Sequence, residues 1–371
     1  MSELGRHTVT LEAGGRSLSA WSSITLSRSL ESAASSFQLA AFQARPGQVV
    51  VQPQSACLVR LDGLPILTGY ADDVDVSGTV GGSSVVVTGR SRTCDLVDCS
   101  LPLTSPRRWT AATVETIAAA LAAEYGVSVV PEVASGLPLA RFAVQDGETV
   151  HDAIDRLASL RSLLVTDDEY GNLVLTRASS LRHVGTLAEG VNLSSWTVSH
   201  KGSQRFSAYA VKTQRRGSVT VPAALAASVI GLASDDAPRT RLLVIDGQGH
   251  LDPAGAQERA RYEMLARYGR SLAVTCSVPG WRDAAGDVWR PNRLVRIRIP
   301  SSLLDADLLV SAVTLTQGPD GTRADLTLQP PEAFSLYTPS TPGPRGVRAP
   351  KGYQLSAADV AAAVKRAEAY K

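Results

Sequence analysis

The sequence predicts an α+β chain that is mainly β, with two similar β-barrel domains, interposed small α/β domains and a C-terminal helix behind a Pro-rich linker. Three observations predict it. A run from Val278 to Leu328 alternates apolar and polar residues with period two. An earlier run around Val59 and Val87 repeats that plan, and between the two lie stretches whose apolar residues recur at steps of three and four. Period two sends alternate side chains of a strand to a core and to water, whereas steps of three and four stripe one face of a helix.

The later run opens Pro279-Gly280-Trp281, passes Gly286-Asp287-Val288-Trp289-Arg290-Pro291-Asn292 and enters a strand at Leu294-Val295-Arg296-Ile297. Val313 and Leu315 belong to a second strand, Gly318-Pro319-Asp320-Gly321 reverses it, and Leu326 and Leu328 mark a third. Gly, Pro and Asp are what a tight reversal needs. The earlier copy has Leu58-Val59-Arg60-Leu61, then Val74 and Val76 against Asp75 and Ser77, then Gly78 to Gly82, then Val85 and Val87. The spacing between copies drifts by a few residues, as loops of different length would cause. Any two amphipathic hairpins share such a pattern, so duplication and chance likeness both stand at this point.

A chain of 371 residues exceeds one ordinary core and predicts about two to four domains. A net charge of +2 excludes a strongly basic polyanion binder and a charge-driven disordered chain. Cys57, Cys94, Cys99 and Cys276 have neither zinc nor redox spacing and read as idle thiols. With no basic-then-apolar leader and no apolar run near ~20 residues, the expectation is a soluble protein made in a cytoplasm.

Residues 1–98 read as short strands, including Ile24-Thr25-Leu26 and Phe37-Gln38-Leu39, a first β-barrel. Residues 99–178 read as an α+β unit: a helix capped by Thr110, a short strand at Val127–Val130, a second helix from Thr149, and a hairpin turning at Asp167–Asn172. Residues 179–216 and 270–335 form a second barrel, split by an α/β insertion at 217–269 whose helix starts at Asp252-Pro253. Residues 336–371 hold a Pro-rich linker, an extended spacer, and a helix striped by Val360, Val364 and Ala367. A short helix is marginal alone in water and needs a surface to dock on.

Catalytic chemistry needs convergent groups, and the sequence offers weak candidates. The five His (His7, His151, His183, His200, His250) are scattered, and His151-Asp152 reads as the first turn of a helix. Asp167-Asp168-Glu169 reads as solvated turn charge rather than a cation loop, and Asp73 and Asp75 fall on one exposed strand face. Asp246-Gly247-Gln248-Gly249-His250 lacks the Lys-Ser/Thr ending of a phosphate loop. Val144–Thr149 faintly resembles the start of a LysM glycan-binding unit. Trp281 and Trp289 flank a Gly-rich turn, a place for core or interface packing or for sugar stacking. No catalytic, cofactor or metal residues are assigned.

The order of parts, with Gly280-Trp281…Gly286-Asp287-Val288-Trp289-Arg290-Pro291-Asn292-Arg293-Leu294-Val295, resembles the Mu-type contractile phage tail baseplate hub family. Val87-Thr88-Gly89-Arg90-Ser91-Arg92-Thr93-Cys94-Asp95-Leu96 and Gly147–Ile154 running on to Asp168–Leu173 share the likeness, which covers about residues 8 to 335. The family is related to late-control tail proteins and to the hub of type VI spikes. The resemblance implies a non-enzymatic, cofactor-free homotrimer with pseudo-sixfold symmetry in the virion baseplate, made in the host bacterial cytoplasm. Its partners would be the tail tube protein, the central spike, the tape-measure protein and baseplate wedge proteins. DNA would pass through without specific binding, and no integral membrane contact is expected. Trp281, Trp289, Val360, Val364 and Ala367 are the expected partner-interface residues. Alternative readings are a tail-associated peptidoglycan hydrolase and the hub of a related secretion or injection system.

Overall fold

The alternation of the first 91 residues produces seven strands: β1 (Val9–Ala13), β2 (Arg16–Leu18), β3 (Ser23–Ser29), β4 (Ser36–Gln43), β5 (Ser55–Leu61), β6 (Leu64–Thr79) and β7 (Gly82–Ser91). The computed structural model describes residues 7–43, 50–79, 81–213, 229–246 and 253–334. After β7 come α1 (Cys94–Asp98), β8 (Arg108–Ala112), α2 (Val114–Ala123), β9 (Val129–Pro131), β10 (Leu139–Ala143), α3 (Val150–Ser159), β11 (Leu164–Asp167) and β12 (Leu173–Thr176). The chain continues through β13 (Arg182–Ala188), β14 (Ser195–His200), β15 (Ala208–Thr213), β16 (Val229–Ser234), β17 (Leu242–Asp246) and α4 (Pro253–Arg270). It ends with β18 (Leu272–Pro279), β19 (Leu294–Ile299), β20 (Leu304–Gly318) and β21 (Gly321–Gln329). The protein is mainly β. None of its described helices is long and apolar enough to cross a membrane.

The described residues form two compact units, one within 7–198 and 273–329, the other within 199–272 and 330–334. The first contains a sheet in which β20 pairs with β21 on one edge and with both β19 and β3 on the other. From β3 the path runs on through β4, β7, β6, β5, β1 and β2, and from β21 through β18 to β14. Among the described residues no pairing closes either half on itself, so the expected closed barrels appear as one open, continuous sheet.

The two halves share strand connections and register. β5–β6–β7 and β19–β20–β21 are both antiparallel meanders with a long middle strand. Each middle strand carries a bulge, between Ala71 and Asp73 in one and between Val310 and Ala312 in the other. Counting from the bulge, Val74 matches Val313, Val76 matches Leu315, and the turn pairs Thr79↔Gly82 and Gly318↔Gly321 coincide. In the strands that follow, buried Val85 and Val87 match buried Ala324 and Leu326. Leu39 opposite Val87 matches Cys276 opposite Leu326. Even the edge is repeated: the Ser22 N–H donates to Ala40 O at 2.7 Å and the Ser194 N–H to Ser277 O at 2.8 Å. That aligns Ser22-Ser23-Ile24-Thr25-Leu26 with Ser194-Ser195-Trp196-Thr197-Val198. One difference stands out, since β1 pairs β5 antiparallel and β13 pairs β19 parallel.

Between the halves, α2 and α3 pack with the β9–β12–β11 sheet around Ile117, Leu121, Ile154, Leu157, Leu173 and Leu175. α3 begins as expected at Thr149, whose hydroxyl accepts from the Asp152 N–H while Asp152 accepts from the Thr149 N–H. α2 begins later than expected. Its cap is Thr113, whose hydroxyl accepts from the Thr116 N–H at 3.3 Å, because Thr110 is held in β8 opposite Arg141. The second unit has the sheet β16–β15–β17, with α4 packed on β15 and β16. There the backbone of Ala256 approaches Gly231 so closely that a Cβ would not fit between them. β15, read from sequence as part of the second barrel, belongs to this sheet: it is the middle strand, and burial of Tyr209, Ala210 and Val211 reflects that.

Cys57, Cys94 and Cys276 are buried, and burial pushes each thiol up to about 12. The Pro-rich linker and the helix carrying Val360, Val364 and Ala367 lie outside the described residues, as do Asp252 and residues 247–250. Replacing Leu39, fully buried in β4, by Ala should lower stability by about 2–5 kcal/mol in urea unfolding. The same change at Leu103, which is 92% exposed, should stay within about 0.5 kcal/mol.

Candidate assembly surfaces

The segment from Gly280 to Arg293 is a set of joints. Gly280 has φ +80°, a conformation that L side chains rarely adopt, and it turns β18 into this segment. Trp281 is fully buried, stacks on His7 at 5.0 Å and donates its indole N–H to Thr316 O at 3.0 Å. Next to it Arg282 reaches Asp62 at 2.9 Å, in the β5–β6 turn. Asp62 also accepts from the Thr8 N–H at 3.0 Å and pairs with His7 Nδ1 at 2.9 Å. Burial pushes the Asp62 carboxyl up, but the bonds from Arg282, Thr8 and His7 outweigh that and hold it below its ordinary value.

A second joint is wholly interior. Asp283 accepts from the N–H groups of Val184, Ala285 and Asp287 at 2.9, 2.9 and 3.0 Å, and pairs with His183 Nδ1 at 3.0 Å. The Arg290 N–H donates to His183 Nε2 at 3.1 Å, and that nitrogen also lies 3.2 Å from Arg290 O. Trp289, 5% exposed, lies 4.6 Å from the His183 ring. Burial raises the Asp283 carboxyl; the Val184 N–H, His183 and the other two amides more than offset it and leave the pKa depressed. Asn292, at φ 61°, donates to Thr176 Oγ1 and Arg177 O and accepts from the Ser179 N–H.

The third joint is the β11–β12 turn. Asp168 is the turn residue, accepting from the Tyr170 and Asn172 N–H groups at 2.9 Å each. Asp167, in contrast, is buried and accepts from the Ser35 N–H and hydroxyl at 3.0 and 2.8 Å. Glu169 faces both Arg28 and Arg290, at 3.8 and 3.2 Å. The expectation of a solvated acidic turn is therefore corrected for Asp167 and Glu169, which tie the α+β unit to β3, β4 and the 280s segment. Asp73 and Asp75 are exposed, as expected.

This geometry also changes the reading of the tryptophans. Trp281 and Trp289 are interior residues, so a partner would meet the loop they brace rather than the indoles themselves. His7 and His183 are not isolated: each pairs with a carboxylate distant in sequence. His151 stays in the first turn of α3. Among the described residues, no three His, Cys, Asp or Glu are placed to hold a metal ion. These contacts can position one β-module against the next; they do not form an attacking group beside a base.

A depressed carboxylate stabilises the fold fully above the ordinary Asp value of 3.8 and loses that contribution as pH falls through its lower folded value. Asp283→Asn should therefore lower the melting temperature at pH 7 and flatten its decline below about pH 4, read by calorimetry across pH.

Three family models match consecutive parts of the chain. Mu phage baseplate assembly protein GpP-like, N-terminal, matches residues 8–91; baseplate hub protein gp44-like, second domain, matches 93–177; Mu phage baseplate assembly protein GpP, fourth domain, matches 252–337. The chain is 33% identical over 340 residues to the baseplate hub protein gp44 of Escherichia phage Mu, covering 88% of this chain and 89% of that protein. Among solved structures, the 43 kDa tail protein of prophage MuSo2 from Shewanella oneidensis aligns with TM-score 0.80 and 28% identity, over 89% of this chain and all of that one. A tail protein from Neisseria meningitidis MC58 aligns with TM-score 0.74 at 21% identity, over 89% and 99% of the two chains, a likeness of fold. The shared register of the halves, the motif-built joints and this near full-length identity lead to one conclusion: the chain belongs to the Mu-type baseplate hub family and is a structural component of a phage tail baseplate.

Proposed function

We propose that three copies of this hub form a ring in which six β-modules, two per chain, stand in pseudo-sixfold array. The ring joins the hexameric tail tube above to the trimeric central spike below. It encloses the channel through which DNA and tape-measure protein leave, with wedge proteins around it. One observation carries the reading: the two β-modules of a single chain share bulge, turn and strand register. A sixfold tube and a threefold spike have no common single-module neighbour, and a chain with two similar modules satisfies both symmetries at once. The modules, residues 1–98 and the split second half, would complete themselves as tube-like barrels only in the ring. There neighbours cover edge strands that would otherwise invite aggregation.

An obligate ring of this kind buries on the order of 2,000–5,000 Å² per interface. The protein's part is assembly, symmetry matching and passage of the sheath's thrust, without catalysis, and DNA passes with no specific contact. The C-terminal residues Val360, Val364 and Ala367 dock on another baseplate component, a reading supported by their apolar stripe behind the Pro-rich spacer.

Negative-stain electron microscopy of the purified protein should give threefold rings with six similar lobes. A compact monomer at every concentration would overturn the ring. Removing residues 337–371 should leave the ring intact and reduce incorporation into particles; unchanged particle yield would remove the docking role.

A further inference from the structure

Within the chain, the half of β20 beyond its bulge does not end the sheet. Its outer edge takes β3 as an antiparallel partner, from Ala312↔Ser29 to Gln317↔Ile24, with Leu315 opposite Leu26. Ile24, Leu26, Val313 and Leu315 are thereby buried, and Ser27 and Thr314 meet through their hydroxyls at 3.3 Å. The matching half of β6, from Asp73 to Thr79, pairs with β7 on one edge. On its other edge β5 reaches only to Ala71, and among the described residues no strand follows. Val76, the match of buried Leu315, is 64% exposed. At the far end of the sheet β14, the match of β3, pairs with β18 and leaves its other edge unpaired among the described residues.

We infer that the edge of β6 beyond its bulge is a docking site for β14 of a second copy of this chain, in the register that β20 and β3 display internally. Carrying that register across places Val76 opposite Val198, Val74 opposite His200 and Gly78 opposite Trp196, the half-buried indole lying over a position without a side chain. On the other face, exposed Asp73 falls opposite exposed Lys201 and Asp75 opposite Ser199, a complementary charge pair and a hydrogen-bonding pair. The two apolar residues that β14 turns to this face, Trp196 and Val198, are only half-buried in the isolated chain, whereas Ile24 and Leu26 of β3 are buried. Donor and acceptor lie on different surfaces, so the contact is head-to-tail and must close into a ring or grow into a filament. The inference rests on the ring proposed above and specifies its interface.

The test uses the full-length chain. Val76→Cys and Val198→Cys are made as separate proteins, mixed, and oxidised. The expected result is a disulfide-linked pair containing one of each, with none formed when Thr197→Cys, which faces away, replaces Val198→Cys. A chain carrying both cysteines should run as three linked copies on a non-reducing gel. Val76→Lys should lose the trimer by light scattering while keeping its circular dichroism. Asp73→Lys should lose it likewise, and adding Lys201→Asp should restore it. A trimer that forms without the Val76–Val198 crosslink and survives Val76→Lys overturns this pairing while leaving the ring. A wild-type chain that stays monomeric at all concentrations overturns both.

Discussion

The β3–β20 ladder is the constraint on which the architecture depends. Without it the two β-modules would be separate sheets held by loops and by side-chain joints such as Arg282–Asp62 and His7–Trp281. Its apolar face buries Ile24, Leu26, Val313 and Leu315. At about 1.5–3 kcal/mol each, these four side chains contribute roughly 6–12 kcal/mol before entropy is subtracted. Net stabilities of whole domains are about 5–15 kcal/mol, so burial of this size is large on that scale. Because β20 reaches past its bulge, one strand serves two ladders, with β19 along one half and β3 along the other.

The polar joints around the 280s segment set the finer geometry. Their weight comes from the number of bonds each group makes and, at His183 and Asp283, from burial. Asp283 accepts from three backbone amides and a histidine, and Asp62 from an arginine, a backbone amide and a histidine. Removing one partner of Asp283 leaves a buried group unsatisfied, which costs more than the bond itself. The motif residues thus earn their place structurally: Gly280 turns, Trp281 fills, Asp283 gathers and Asn292 anchors the end of β12.

Much of this was legible in the sequence. Alternation located the meander strands, and the capping box located α3 at Thr149. The family likeness was carried by residues that turn out to be joints. What alternation could not give is which strands meet. Thr110 looked like a cap because its pairing with Arg141 is a tertiary fact. Asp167 looked solvated because Ser35, its partner, lies far away in sequence. His183 and Asp283 are likewise a hundred residues apart, and no spacing rule joins them. β15 read as barrel because a buried middle strand of a small sheet has the same apolar run.

The hairpin formed by β3 and β4 is closed by a short loop, whereas its counterpart, β14 and β18, is interrupted by a whole folded unit. An unstructured excursion of that length would add about 2 kcal/mol of closure entropy. Here the Lys201 N–H donates to Ser271 O at 2.6 Å, so the strand of exit and the strand of return are stapled together by the visiting unit itself. A body that holds its own entrance shut lengthens the hairpin without opening it.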